Sequence, residues 1–247
     1  GATGIGVRTE GVNGLIKVDL NAGAVNGIGG IFAKSTGTGG ITINTAAGTQ
    51  GNSTVEGADT IQAITTGASG DINIKVLGSI NAGGPIGDDG IRAQVTNVLS
   101  TTNINIETQN QVLGSTLDPV DGNGIEAVTN GLGAITIVTN TKGNGQVLGG
   151  VSAINAFISN AANTKTLSIT SGDAAGAFTS TLTSTEVNSA AVSAVNKGAG
   201  DTVITINKGV TLTTLGSGST GINASTTTGL LTVTNALSQV VVYAYYG

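Results

Sequence analysis

A short motif (an apolar residue, a spacer, then alanine, usually with glycine just ahead) recurs eight times along the 247 residues. A repeat of this kind confines the chain to folds built by stacking like units. It reads Gly4-Ile5-Gly6-Val7, Gly30-Ile31-Phe32-Ala33, Thr60-Ile61-Gln62-Ala63 and Gly90-Ile91-Arg92-Ala93 in the first half. It continues as Gly124-Ile125-Glu126-Ala127, Gly150-Val151-Ser152-Ala153, Ala191-Val192-Ser193-Ala194 and Gly221-Ile222-Asn223-Ala224. The anchors Ile5, Ile31, Ile61, Ile91, Ile125, Val151, Val192 and Ile222 are spaced by 26, 30, 30, 34, 26, 41 and 30 residues.

About ten residues after most anchors comes a second run that alternates apolar and polar residues. Its members are Leu15–Val18, Ile41–Ile43, Ile72–Val76, Ile104–Ile106, Ile135–Ile137, Leu167–Ile169, Ile204–Ile206 and Leu231–Val233. Period-2 alternation marks a strand with one buried face. A weaker third strand is marked by Val25, Val55, Ile80, Val112, Val147, Val210 and Val240. Three short strands per repeat, separated by Gly- and Asn-rich turns, describe one coil of a parallel β-helix. The expected fold is therefore all-β: a right-handed parallel β-helix of about eight coils, forming a single domain over residues 1–247. No coil can bury its inward residues or pair its backbone alone, so each depends on the coils above and below. In register, the anchors form one inward column. Val7 and seven alanines form the next, which requires a wall too close to its opposite for larger side chains. The glycine before the anchor suits a corner of positive φ. The long interval after Val151 places a protruding loop within 155–188.

Composition agrees with a narrow core. Aromatics are only 2% of the chain and the apolar stock is Ile, Val, Leu and Ala, whereas a wide two-sheet core would draw on Phe, Tyr and Trp. Mean hydropathy of +0.26 and 9% charged residues exclude a disordered Gly/Ser/Thr chain, which needs low hydrophobicity or high charge. No apolar stretch is long enough for a membrane-spanning helix, and no signal peptide is recognisable. A net charge of −5 with nine scattered basic residues argues against nucleic acid, whose phosphates call for clustered Lys and Arg. The start at Gly1 suggests a processed chain or an excised fragment.

Without His or Cys, there is no Ser–His or Cys–His couple and no imidazole or thiolate metal site. The chemistry that remains is acidic. Asp88 and Asp89 precede the anchor Ile91, and Asp118 and Asp121 precede Ile125. Stacked turns would bring these four carboxylates together, a set able to bind Ca2+ or, as paired carboxylates, to hydrolyse glycosides. The competing reading is ordinary turn chemistry, since Asp beside Gly or Pro starts turns; it is the favoured one. Arg92 and Glu126, on adjacent coils, would form an exposed ion pair worth ~0–1 kcal/mol. Glycine patterns such as Gly37-Thr38-Gly39-Gly40 lack the strand–loop–helix setting and the lysine of a phosphate cradle. An ice-binding threonine ladder is also disfavoured. The outward place of the second strand reads Lys17, Thr42, Asn73, Asn105, Thr136, Ser168, Thr205 and Thr232, only half threonine. Tyr243, Tyr245 and Tyr246, the three tyrosines of the chain, would cap the open sheet edge or join it to a following subunit.

The Gly-Ile-x-Ala … Ile-x-Ile pattern resembles the passenger domains of bacterial autotransporters and related large surface adhesins. The resemblance covers almost the whole chain, but the motif is degenerate and carries fold and style of export more than activity. It implies an extracellular or cell-surface protein acting in adhesion, aggregation or biofilm formation, with another cell's surface or a second copy of itself as partner. The translocator barrel of that family is not in this sequence. The expected function is thus a non-catalytic structural and adhesive stalk, with no cofactor unless Ca2+ binds the aspartates. One alternative is a subunit that assembles end to end into an extracellular filament. The other is a calcium-dependent, polysaccharide-active β-helix enzyme.

Overall fold

The computed structural model describes residues 3–9, 14–21, 25–46, 49–51, 59–82, 89–116, 122–236 and 242–244. Every regular element among them is a β-strand, and every strand pairing is parallel. No helix among the described residues is long and apolar enough to cross a membrane. The chain is a parallel β-solenoid with three strands per coil.

The second strands give the plainest view of it. Ile16–Leu20, Ile41–Thr45, Ile72–Val76, Ile104–Thr108, Ile135–Thr139, Leu167–Ser171, Thr202–Ile206 and Leu231–Asn235 stack in chain order as one eight-stranded sheet. Most of these strands alternate buried and partly exposed residues, as the period-2 pattern requires. The first strands form a second column, and the third strands a third. Strand Val25–Ser35 runs through the corner between these two. Its Val25–Gly27 pairs with Thr49–Gly51 of the third column, and its Ile31–Ser35 pairs with Ile61–Thr65 of the first. An extended peptide can therefore turn this corner without leaving the sheet.

The inward columns carry the core. Ile31, Ile61, Ile91, Ile125, Val192 and Ile222 are all buried, with the alanines two residues on buried beside them. The register differs from the sequence reading in the sixth coil. There Ile154 lies opposite Ile125 and Val192, and Ala156 opposite Ala127 and Ala194. Val151 and Ala153 are therefore not the anchor pair. With that shift the side-chain column reads Ala33, Ala63, Ala93, Ala127, Ala156, Ala194 and Ala224, unbroken and buried. First and third strands touch where they turn into one another, as Gly145–Gly149 does with Ser152–Ile158 and Ser180–Ser184 with Ala190–Asn196.

The other strands hold two corrections. In the seventh coil Thr202 and Ile204 face Leu167 and Ile169, so Ile204 and Ile206 are not the matched pair, and Val203 replaces Thr205 in the outward column. Only Thr42, Thr136 and Thr232 of that column are then threonines, which weakens an ice-binding ladder further. The third column runs Val25, Thr49, Ile80, Val112, Val147, Leu182 and Leu212. Val210 sits two residues from its expected place, and Val55 and Val240 lie outside the described residues. The stretch 155–188 holds the end of strand Ser152–Ile158, all of Leu167–Ser171 and all of Ser180–Ser184, joined by connections at 159–166 and 172–179.

The glycines before the anchors serve close approach more than unusual φ. Of Gly30, Gly90, Gly124 and Gly221, only Gly30 has positive φ, at 43°. A Cβ on Gly124 would lie 2.6 Å from Val147 Cγ1 and 2.7 Å from the Ala153 carbonyl oxygen. Corners are closed by side chains that reach the next coil. Asp71 Oδ1 accepts from the Asn103 N–H at 3.0 Å, Asn103 Oδ1 from the Ala134 N–H at 2.9 Å, and Asp201 Oδ1 from the Leu230 N–H at 2.8 Å. Short Asx side chains suit this task because they reach backbone donors where the strand ladder stops.

The alanine column has a direct test. Ala93→Leu puts three extra carbons into the buried column between Ala63 and Ala127, and is expected to cost ~1–3 kcal/mol or more by overpacking. Gln94→Leu, the next residue but on the outward face, is expected to stay within about 0.5 kcal/mol of the parent. Urea midpoints of the two variants check the difference.

Candidate functional site

The acidic corner is built by the segments that lead into the first strands. Asp59 and Asp89 each stand two residues before their anchors Ile61 and Ile91, and Asn123 holds the same place before Ile125. Stacking turns them into a ladder. Asp59 Oδ1 accepts from the Asp89 N–H at 3.1 Å, and Asp89 Oδ1 accepts from the Asn123 N–H at 2.8 Å. The backbone runs alongside: Thr60 N–H donates to Asp89 O and Gly90 N–H to Asn123 O, both at 3.0 Å. Each aspartate thus does for its corner what Asp71 and Asn103 do for theirs. At Asp89 this is a turn role carried across coils.

Of the four aspartates singled out by sequence, Asp89 is described and is fully buried. Asp88, Asp118 and Asp121 lie outside the described residues. Sequence reasoning missed Asp59 and Asn123. Their signal was present: both occupy the position of Asp89 relative to the anchor, one repeat before and one after.

Glu126 brings a third carboxylate to this corner. Its Oε2 lies 3.2 Å from Arg92 Nε, and its Oε1 accepts from Asn155 Nδ2 at 3.3 Å. The pair was expected to be exposed, but the Glu126 side chain is only 10% accessible and that of Arg92 25%. Removing one partner would leave a covered charge, which costs far more than breaking a surface pair.

Burial is the main cause that pushes the Asp89 carboxyl well above the usual range, followed by the negative charges of Glu126 and then Asp59. Hydrogen bonds from Asn123 oppose the shift without cancelling it. Asp89 Oδ2 is buried and has no hydrogen-bond partner among the described residues, a setting that favours the neutral acid. The described residues include no group of three or more His, Cys, Asp or Glu side chains able to hold a metal ion.

At the other end of the chain, Val242–Ala244 pairs with Ile222–Ala224, which sets Tyr243 opposite Asn223. The segment therefore repeats the apolar-x-Ala pattern once more and extends the first column by a strand. Tyr245 and Tyr246 lie outside the described residues.

The Asp89 carboxyl sets a pH dependence. Its folded-state pKa is raised, so the folded protein holds this proton more tightly than the unfolded chain. The stabilising effect is complete below the ordinary carboxylate pKa and is lost as pH climbs toward the folded value. Asp89→Asn keeps an acceptor for the Asn123 N–H and cannot ionise, so this variant is expected to have the higher urea midpoint at pH 8 and to lose that advantage at pH 4. The difference between variant and parent isolates Asp89 from Asp19, which the hydrogen bonds of Lys17 and Asn44 hold below its usual pKa. Equal midpoint differences at the two pH values would reject a buried neutral Asp89.

Comparison with known proteins adds no assignment: no family model, curated protein or solved structure matches this chain.

Proposed function

We propose that this chain is a non-catalytic, secreted or cell-surface module of the autotransporter-passenger kind, a stiff rod that carries adhesive surface away from where it is attached. The observation that supports this reading is the contrast between its inward and outward positions. Along the first strands, the inward places repeat Ile or Val and then Ala. The outward place between them changes at every coil, through Gln62, Arg92, Glu126, Asn155, Ser193 and Asn223. A core held constant while the outward residues vary in chemistry suits a scaffold whose function lies in its surface. The absence of Cys and the low charge suit a chain that crosses a membrane unfolded and folds outside without redox help.

A rod of eight coils, rising about 4.8 Å per coil, is expected to be roughly 40 Å long, and small-angle scattering of the pure protein checks this. A concentration-independent particle of that length supports the spacer. Growth in length with concentration would instead favour the end-to-end filament, and a compact sphere would reject both.

A further inference from the structure

The corner between the second and third strands carries a surface that the stalk reading leaves unused. A trough of about 540 Å³ runs along it, parallel to the rod axis. Ser79, Gln111, Gln146, Thr181 and Thr211 occupy one matched outward position on five successive coils and line it. Asn110 and Asn144 flank the glutamines, and Gly145 and Gly209 complete the floor.

Three features indicate what fits there. None of the lining residues bears a formal charge, so an anionic polymer would find no cation to pair with. Third-strand edges are already occupied by neighbouring coils, which leaves no open edge for a peptide to extend the sheet. The polar groups are spare: Gln111 and Gln146 have half-buried side chains with no hydrogen bond among the described residues. Amides and hydroxyls that both donate and accept, repeated at the coil spacing of ~4.8 Å, match a linear polymer with a hydroxyl array. The volume falls in the range of ligand clefts.

We propose that this trough binds an uncharged polysaccharide lengthwise, its hydroxyls hydrogen-bonded to Gln111 and Gln146. The inference rests on the adhesive reading above and gives it a ligand class. Asn144 has a separate, positioning role, since its Oδ1 accepts from the Thr179 N–H at 2.8 Å and holds the trough wall.

Affinity electrophoresis of the whole chain through gels containing dextran, soluble β-glucan or galactomannan tests it, with alginate and heparin as charged comparators. At least one neutral polymer is expected to retard the protein. The Gln111→Ala/Gln146→Ala double variant is expected to weaken that binding ~10-fold with an unchanged melting temperature. Asn73→Ala, on the outward face of the second sheet, is expected to bind as the parent does. Retardation by the charged polymers alone, by none, or equally for parent and double variant would overturn the trough. Beads coated with parent or double variant separate this from the stalk reading. Equal adhesion of both to cells keeps the stalk and rejects the trough. Glycan retardation without any bead adhesion keeps the trough and rejects the adhesive stalk.

Discussion

Parallel pairing of each coil with the next, in register, is the constraint from which the rest of this structure follows. A coil of three short strands has no partner within itself, so its backbone donors and acceptors are satisfied only by its neighbours. Once strands stack in register, like positions align along the axis. An inward residue then packs against its own equivalents above and below. This makes Ile, Val and Ala at fixed places worth more than any single large side chain, and it explains a core of this length built with 2% aromatics.

The same alignment governs the polar residues. At corners Asp and Asn side chains add inter-coil hydrogen bonds beside those of the backbone, as at Asp71, Asn103, Asp89 and Asp201. Hydroxyls serve the inner side of the corners: Thr139 Oγ1 donates to Ser171 Oγ at 2.9 Å, from one coil to the next. The abundance of Asn, Asp, Thr and Ser is therefore structural as well as solubilising. Asp89 shows the cost of the arrangement. Its Oδ1 is used in the ladder, while Oδ2 is left in a dry place beside two other carboxylates.

Charge falls where the ladder does not need it. The Lys75–Glu107 pair at 3.2 Å and the Asn105–Asn73 amide contact at 3.0 Å lie on the outward face of the second sheet, where side chains answer to solvent and neighbours only. The third-strand corner is different again, with amides and hydroxyls and no charge. One scaffold thus presents chemically distinct faces, because outward positions are free to vary once inward ones are fixed.

The sequence by itself determined the fold class, the three strands per coil and the identity of most inward columns. Stacking forces the same residue types to recur at the same places, and recurrence is visible in a linear chain. Only the tertiary structure decided the register where connections change length. Ile154 replaces Val151 as anchor, Thr202 replaces Ile204 as the first inward residue, and Thr49 holds the place given to Val55. Alternation reveals which residues share a face, but a slide of two residues, as at Thr202, keeps the same face inward, and at Val151 and Ile154, three residues apart, two apolar frames compete, so pairing with the next coil has to choose. The acidic corner divides in the same way. Asp89 and the Arg92–Glu126 pair were legible from their places beside the anchors, whereas Asp59 was not singled out, and the burial of Asp89 and the cover of the ion pair depend on the surrounding fold, which is non-local.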